Sequence, residues 1–553
     1  MEADDRVLTL ARRVFGYESL RAGQKEAVER VAAGQDTLVI MRTGGGKSAI
    51  YELAGLLLGG TTVVISPLLA LQRDQVAALE ATGLVTAVAL NSSESPRTRR
   101  RVLDAMTSDD RPSFVFLSPE QLTDGDVLDR LSAALPTLVA VDEAHLVARW
   151  GPDFRPDYLR IASAVEAIGR PPTLALTATA APHVRDEIVG RLRMREPAIV
   201  VEGFGRANLE LAVHAYFLDD GHKVDVLTSD VVAAVSERGH GIVYGATHKR
   251  VEMLADRLAA LGPRVAPYHG GLAGSVRTDV ERRFHGGDLD VVVATIAFGM
   301  GIDKPDIRWV FHADPSASVD EYYQEVGRAG RDGNPASATL YYRDEDLRIS
   351  RLFASQLGPS EHALRTVVDA LGGGARSVSA VRQRSGLSRN TTSAALMTLS
   401  DVGALTVGAD GDVAVASDLA EARRNASDLI RTRRAVERTR VEMMGAYAEH
   451  LDCRWRFLLE YFGERADQRC GHCDNDHRAS THADDHDGRH PFPRGARVRH
   501  GVFGSGEVVG YAGRNILVDF DRAGYKRLDV ELVLGGGLLD RADGDADGSP
   551  GHT

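Results

Sequence analysis

Cysteine is scarce, with three among 553 residues, all between positions 453 and 473. Three is too few for a disulfide framework, and their close spacing points to a metal instead. No apolar run reaches the roughly 18 residues that a bilayer crossing needs, which argues against a membrane-spanning chain. The opening stretch MEADDRVLTLARRVF is acidic and then amphipathic, without the apolar heart of a secretion signal. The expectation is therefore a cytoplasmic protein. Positive charge is also short: 66 Lys and Arg face 78 Asp and Glu, a net −12. A nucleic-acid partner would have to be held by a local basic groove rather than by overall charge.

What the chain does have is length. Its residues are too many for one core, and three to five domains are expected. Short apolar strands alternate with helical stretches through the first 350 residues. TLVIM (37–41), TVVISP (62–67), SFVFLSP (113–119) and TLVAVDE (137–143) form one series. GIVYG (241–245), VAPYHG (265–270), DVVVAT (290–295) and WVFHAD (309–314) form a second. This pattern predicts two parallel sheets covered by helices, with a break near GFGRANLE (203–210). From residue 360 the texture changes to three short helices and a hairpin with a DG turn, the winged-helix pattern, with Ser388 as N-cap of the third helix. Residues 474–490 are polar and apolar-poor and read as a linker.

Three segments carry chemistry. MRTGGGKS (41–48) lies between a strand and a helix. Its glycines Gly44, Gly45 and Gly46, with Thr43, let backbone N–H groups close on phosphate. Lys47 can reach the β- and γ-phosphates, and Ser48 can hold Mg²⁺. The full phosphate-loop pattern wants glycine at position 41, where this chain has Met41. In VDEAH (141–145), Asp142 at a strand end suits Mg²⁺ and Glu143 suits activation of the attacking water. In QEVGRAGRDG (324–333), Arg328 and Arg331 are three apart, so on a helix they would share a face and could neutralise charge on a γ-phosphate.

Taken in order, these boxes resemble the core of the RecQ-family DNA helicases of superfamily 2. FGYESLRAGQ (15–24) resembles the nucleotide-reading segment, which implies adenine stacking by Tyr17 and nucleotide contacts by Arg21 and Gln24. ISPLLALQRDQV (65–76) and SPEQL (118–122) resemble strand-gripping boxes, and LTATA (176–180) the box coupling hydrolysis to motion. ATIAFGMGIDKPDIR (294–308) resembles the fifth box, which implies that Asp303 faces the nucleotide. The most family-specific stretch is RWGPDFRPDY (149–158). There Trp150 and Phe154 can stack on unpaired bases and Arg155 can bind a phosphate. The chain departs from the family at Pro152, usually His, and at Arg42, usually Pro. The resemblance implies two tandem RecA-like lobes, ATP and Mg²⁺ as cofactors, and 3′-to-5′ travel on single-stranded or forked DNA in repair or recombination.

The resemblance resumes at MGAYAEHLDCRWRFLLEYFGERADQRCGHCDND (444–476), which looks like the family's zinc module. It implies ligands Cys453, Cys470 and Cys473. Asp476 stands where the fourth cysteine normally falls, with His472 and His477 as alternative donors. The winged-helix pattern precedes this module instead of following it, and its third helix opens on Arg389, Asn390, Thr391 and Thr392, suited to phosphate or groove contacts. Residues 492–533 alternate apolar and polar with glycine turns and read as a small barrel. It resembles the Tudor-like barrel ending UvrD-type helicases. That implies a protein partner, RNA polymerase or a repair factor, with DNA contact through Arg494, Arg497, Arg499, Lys526 and Arg527 as the alternative.

The expected division is thus lobe 1 over 1–202, lobe 2 over 203–352, an inserted winged helix over 353–425 and the zinc module over 426–478. A linker (479–490), a Tudor/SH3-like barrel (491–540) and a disordered tail (541–553) complete it. Two rivals stand beside a DNA helicase. One is an RNA helicase with the same acidic box. The other is an ATP-driven translocase or adaptor that recruits partners without efficient unwinding. The abundance of Ala, Gly, Arg, Asp and Val fits a GC-rich bacterial genome and a nucleoid-associated protein.

Overall fold

The structure is a computed structural model. It describes all residues except 1, 43, 68, 92–93, 109, 149–157, 159, 217–219, 300–303, 409–410, 482–490, 493–494, 513–514, 522–523 and 542–553. The chain divides into two compact units, Met1–Phe204 with Ser355–Arg434, and Gly205–Ala354 with Ala435–Thr553.

In the first unit seven strands form one parallel sheet. They are β1 (Thr37–Ile40), β2 (Thr62–Ile65), β3 (Ala87–Leu90), β4 (Phe114–Leu117), β5 (Leu138–Val141), β6 (Thr173–Thr177) and β7 (Ala198–Val201), in the order β3-β4-β2-β5-β6-β1-β7. Strands β1, β2, β4 and β5 are apolar apart from the leading Thr37 and Thr62, the near-continuous apolar run expected of a parallel sheet buried on both faces. TLVI, TVVI, FVFL and LVAV are buried throughout. The first four expected strands are all present. β3, β6 and β7 complete the series of which those four strands are examples.

The same unit holds the three-helix-plus-hairpin element. Helices Glu361–Gly372, Val378–Ser385 and Arg389–Asp401 are followed by β14 (Leu405–Val407) and β15 (Val413–Val415). Each helix is opened by a serine whose hydroxyl accepts a backbone N–H three residues on: Ser360 from Ala363, Ser377 from Ala380 and Ser388 from Thr391. Such caps are worth about 1 kcal/mol each. Leu364, Val367, Leu371, Val381, Leu396 and Leu399 make its core. Ala422, Ala426 and Ile430, from the start of the 31-residue helix Leu419–Glu449, join that core.

In the second unit β8 (Leu209–Ala215), β9 (Gly241–Tyr244), β10 (Val265–Tyr268), β11 (Val291–Ala294), β12 (Trp309–His312) and β13 (Ala336–Tyr342) form a parallel sheet ordered β10-β11-β9-β12-β13-β8. Gly241 is obligatory, because a Cβ there would stand 2.1 Å from the Trp309 ring. The helices next to the cysteines, Arg454–Tyr461 and Asp474–Thr481, belong to this unit. Tyr322 and Tyr323, from the helix Val319–Val326, meet Tyr447, Trp455 and Phe462 ring against ring. Phe457, Leu458 and Phe462 are buried as the contact face.

Residues 474–490 are not one linker. Asp474–Thr481 is a helix, because its buried Asn475 and Asp476 are tied into the cysteine cluster despite a polar composition. The C-terminal element is a five-stranded antiparallel sheet of β16 (Arg497–His500), β17 (Gly504–Ala512), β18 (Asn515–Phe520), β19 (Gly524–Asp529) and β20 (Leu539–Arg541), ordered β19-β18-β17-β16-β20. It curls around Phe492, Val498, Val508, Ile516, Val518, Phe520 and Val533.

Candidate nucleotide and metal sites

The phosphate loop follows β1. Gly44 and Gly46 adopt φ of +74° and +80°, the left-handed region that glycine enters freely. Gly45 is required for space, since a Cβ would meet Met41 Cγ at 2.4 Å. Gly46 caps the helix Lys47–Leu58, whose N-terminus favours anions. Lys47 Nζ donates to Met41 O at 3.3 Å. The nucleotide-reading segment is bonded to the loop. Arg21 Nη1 donates to Gly45 O at 3.1 Å, and Gln24 Nε2 donates to Gly45 O at 3.1 Å and Gly46 O at 3.0 Å. Tyr17 stacks on Phe15 with ring centroids 5.6 Å apart and is 40% exposed, leaving ring surface open for a base.

Asp142 and Glu143 follow β5. Asp142 N–H continues the sheet by donating to Ile65 O at 2.9 Å. Its Oδ1 accepts Glu143 N–H at 2.9 Å, and its Oδ2 accepts Ser66 Oγ at 3.4 Å. Burial, and then the neighbouring Glu143 charge, push the Asp142 carboxyl up to about 7, while Lys47 pulls the other way. A divalent cation would reverse that balance. Glu143 sits at φ +49°, a strained conformation for a residue with a Cβ, held by the turn in which Leu146 N–H returns to Glu143 O. His145, which the sequence reading passed over, links two boxes: its Nδ1 is 3.3 Å from Glu143 Oε2 and 3.0 Å from Thr177 Oγ1 in LTATA. A second omission is Glu52, buried in the helix after the loop and pushed by burial up to about 7.

Arg328 and Arg331 belong to the second unit. They do not share a helical face, because the helix Val319–Val326 ends before them and both lie in the turn that follows. Arg328 is 7% exposed, and its charge acts on the buried Tyr244 hydroxyl, which donates to Phe298 O at 2.8 Å. Thr43, Trp150, Phe154, Arg155 and Asp303 lie outside the described residues.

Cys453, Cys470, Cys473 and Asp476 place one donor atom each within 4.8 Å of one another. Asp476 Oδ2 accepts Gly471 N–H at 2.9 Å, while its buried Oδ1 makes no hydrogen bond among the described residues. That oxygen lies 3.7 Å from Arg469 Nη1, and a carboxylate beside three sulfurs fits a tetrahedral zinc site. Cys473 is held down as thiolate by hydrogen bonds from the other two thiols. The alternative donors are occupied elsewhere. His472 has Nδ1 2.7 Å from Cys470 O and Nε2 3.3 Å from Arg206 O, and His477 Nδ1 is 3.6 Å from Glu210 Oε1. In the winged-helix element Arg389 and Asn390 are exposed, whereas Thr392 is buried and donates to Ser388 O, so it is a structural residue.

Three families match successive parts of the chain: DEAD/DEAH box helicase over residues 21–188, helicase conserved C-terminal domain over 222–333, and RecQ zinc-binding over 411–477. The chain belongs to the RecQ family of superfamily 2 helicases. Its RecQ relatives include the ATP-dependent DNA helicase RecQ of Bacillus subtilis, 35% identical over 472 residues, which cover 85% of this chain and 66% of the relative. The RecQ of Haemophilus influenzae is 38% identical over 340 residues, 61% of this chain and 54% of the relative. The chain thus spans 54 to 66% of the length of these two RecQ proteins. Among solved structures, Mycobacterium smegmatis Lhr bound to ssDNA and AMP-PNP superposes with a TM-score of 0.51 at 21% identity, covering 88% of this chain and 66% of that one. The DUF1998 helicase MrfA bound to DNA gives 0.53 at 18%, covering 77% and 64%. At these identities the two share the fold. RecQ membership makes ATP, Mg²⁺ and Zn²⁺ the cofactors of this chain. Among the described residues, no helix is long and apolar enough to cross a membrane.

Proposed function

We propose that the chain is an ATP- and Mg²⁺-dependent DNA helicase of RecQ type that moves 3′ to 5′ on single-stranded DNA and opens forked duplex. The observation carrying this reading is the assembly of Lys47, after β1, and the Asp142–Glu143 pair, after β5, on either side of β6 in one sheet, close enough for Lys47 to act on the Asp142 carboxyl. In this reading Lys47 and Ser48 take phosphate and metal, Asp142 orients the metal, and Glu143 receives the proton of the attacking water. Arg328 and Arg331 neutralise charge developing on the γ-phosphate. Gly44–Gly46 with Thr43 cradle the phosphates. Tyr17, Arg21, Gln24 and Asp303 read the nucleotide, and Trp150, Phe154 and Arg155 engage the strand. Cys453, Cys470, Cys473 and Asp476 hold structural zinc. The division into two lobes, inserted winged helix, zinc module and barrel goes with it, as does a cytoplasmic, nucleoid-associated place.

The relatives do not favour an adaptor that hydrolyses ATP without unwinding. For the barrel, a protein partner is the better reading. Val502, Leu532, Leu534 and Leu538 are exposed there, while Arg497 is paired with Asp521. Apolar exposure of this kind suits a protein surface rather than phosphate.

The test is strand release from a forked duplex by the full chain with ATP and Mg²⁺, beside Lys47→Ala. ATP-dependent release lost in the variant supports the reading. Hydrolysis without release by the unaltered chain would restore the adaptor, and equal stimulation by RNA would move the substrate class.

A further inference from the structure

The segment GFGRANLE, read in the sequence only as a break between lobes, reaches into the arginine turn. Arg206 is buried at 6% exposure. Its Nη1 donates to Gly327 O at 2.9 Å and its Nη2 to Gly330 O at 2.5 Å. Asn208 Nδ2 donates to the same Gly330 O and to Asn334 O, both at 2.8 Å. Gly330 N–H in turn donates to Ile307 O at 2.8 Å. Gly330 is at φ +60°, and a Cβ there would lie 2.6 Å from Asn208 Nδ2.

Gly327 and Gly330 immediately precede Arg328 and Arg331. A peptide unit is planar, so fixing a carbonyl oxygen also fixes the N–H of the next residue. One guanidinium fork therefore sets the peptide planes from which both arginines spring. The turn adds only two i→i+3 bonds past the helix end, Arg328 N–H to Glu325 O at 3.2 Å and Ala329 N–H to Val326 O at 3.1 Å, so Arg206 shares the hold on the Gly327 plane with the backbone. A lysine has three donors on one nitrogen but no planar, two-pronged fork, so it cannot reproduce the fixed spacing of the two bonds. The Arg206 carbonyl lies 3.3 Å from His472 Nε2, so the same residue meets the cysteine cluster on its other side.

We propose that Arg206, seconded by Asn208, is a positioning residue that aims Arg328 and Arg331 for ATP hydrolysis. This rests on the reading of those arginines as the groups that meet the γ-phosphate. Arg206 acts through them and touches no substrate.

The test uses the full chain, with DNA-stimulated hydrolysis measured for Arg206→Lys, Asn208→Ala, Arg331→Ala and the double variant Arg206→Lys/Arg331→Ala. Arg206→Lys lowers kcat at least about tenfold with KM for ATP within about twofold, the mark of an interaction made only in the transition state. It binds AMP-PNP normally but loses preference for ADP with aluminium fluoride. In the double variant the loss is no greater than in Arg331→Ala alone, because residues acting as one unit are not additive. Losses that multiply, or an unchanged kcat in Arg206→Lys beside an inactive Arg331→Ala, overturn the proposal. If Arg206→Lys melts early, Asn208→Ala decides: a kcat loss of about threefold, by the loss of the hydrogen bond to Gly330 O, must vanish in the Arg331→Ala background. If it persists there, the proposal fails. Full activity in Arg331→Ala itself is a different result, because it removes the arginine reading on which the proposal stands.

Discussion

The ring of His145 stands 3.0 Å from the hydroxyl of Thr177, with the Glu143 carboxylate 3.3 Å from the same nitrogen. Thr177 also donates to Thr179 O and accepts Thr179 N–H, so the turn after β6 is shaped around one hydroxyl. A change at Glu143 during hydrolysis thus has a route into LTATA through one imidazole nitrogen. Thr177→Val removes the hydroxyl at nearly constant volume. Strand release should fall more than about tenfold while DNA-stimulated hydrolysis stays within about threefold, a split expected when a coupling contact is lost. Proportional losses in the two assays would show that Thr177 only packs.

Glu143→Gln should bind ATP as before and lose turnover by roughly 10² to 10³, the usual weight of a general base. Single-turnover hydrolysis with excess enzyme reads this without interference from product release. Near-normal turnover would mean another group takes the proton.

The aromatic stretch predicts a different split. Trp150→Ala with Phe154→Ala should abolish most DNA stimulation and spare basal hydrolysis, because base stacking is worth about 1–3 kcal/mol per ring. Titration with single-stranded DNA measures both. Equal losses would make the pair a packing element.

Glu52 supplies a pH dependence. Its folded carboxyl is raised from 4.5 to about 7 by burial, so the folded state prefers the protonated form. That contribution is complete below pH 4.5, fades as pH climbs to 7 and is absent above it. Glu52→Gln should therefore leave the first unit's stability unchanged near pH 4.5. At pH 8 the variant should be more stable by up to about 3 kcal/mol, at 1.36 kcal/mol per pKa unit. Denaturant melts at the two pH values check this, and a gain of equal size at both would refute it.

Asp476 predicts a metal phenotype. Asp476→Cys should tighten zinc binding at least about tenfold, since thiolate is the softer donor, and Asp476→Ala should leave purified protein short of one zinc per chain. Chelator competition and elemental analysis measure these. An Asp476→Ala protein with undiminished affinity would pass the fourth position to another donor.

Much of this was legible in the chain. Lys47, Asp142 and Glu143 could be placed because strand, turn and helix follow one another within a few residues, so local pattern dictates their geometry. The serine cap Ser388 announced its helix for the same reason, while Ser360 and Ser377 were found as caps only in the structure. The role of Arg206 could not be read, because its partners lie 121 and 124 positions away and no periodicity records such a pairing. The helix at Asp474 was missed because its order comes from buried polar contacts, such as Arg454 with Asp474 at 2.5 Å, and not from an apolar face. Arg328 and Arg331 were put on a helix because their spacing suits one, yet Gly327 and Gly330 end it.

The cysteine cluster also has a bearing on how this protein keeps to itself in a crowded cell. β8 closes one side of the second sheet, and Cys473 bridges to Leu211 while Asp474 Oδ2 accepts the Val213 N–H at 3.1 Å. An unguarded rim of a sheet is an invitation to pair with another chain. Cys473 and Asp474 cover that rim at Leu211 and Val213, so loosening the cysteine cluster would open backbone amides there to another chain.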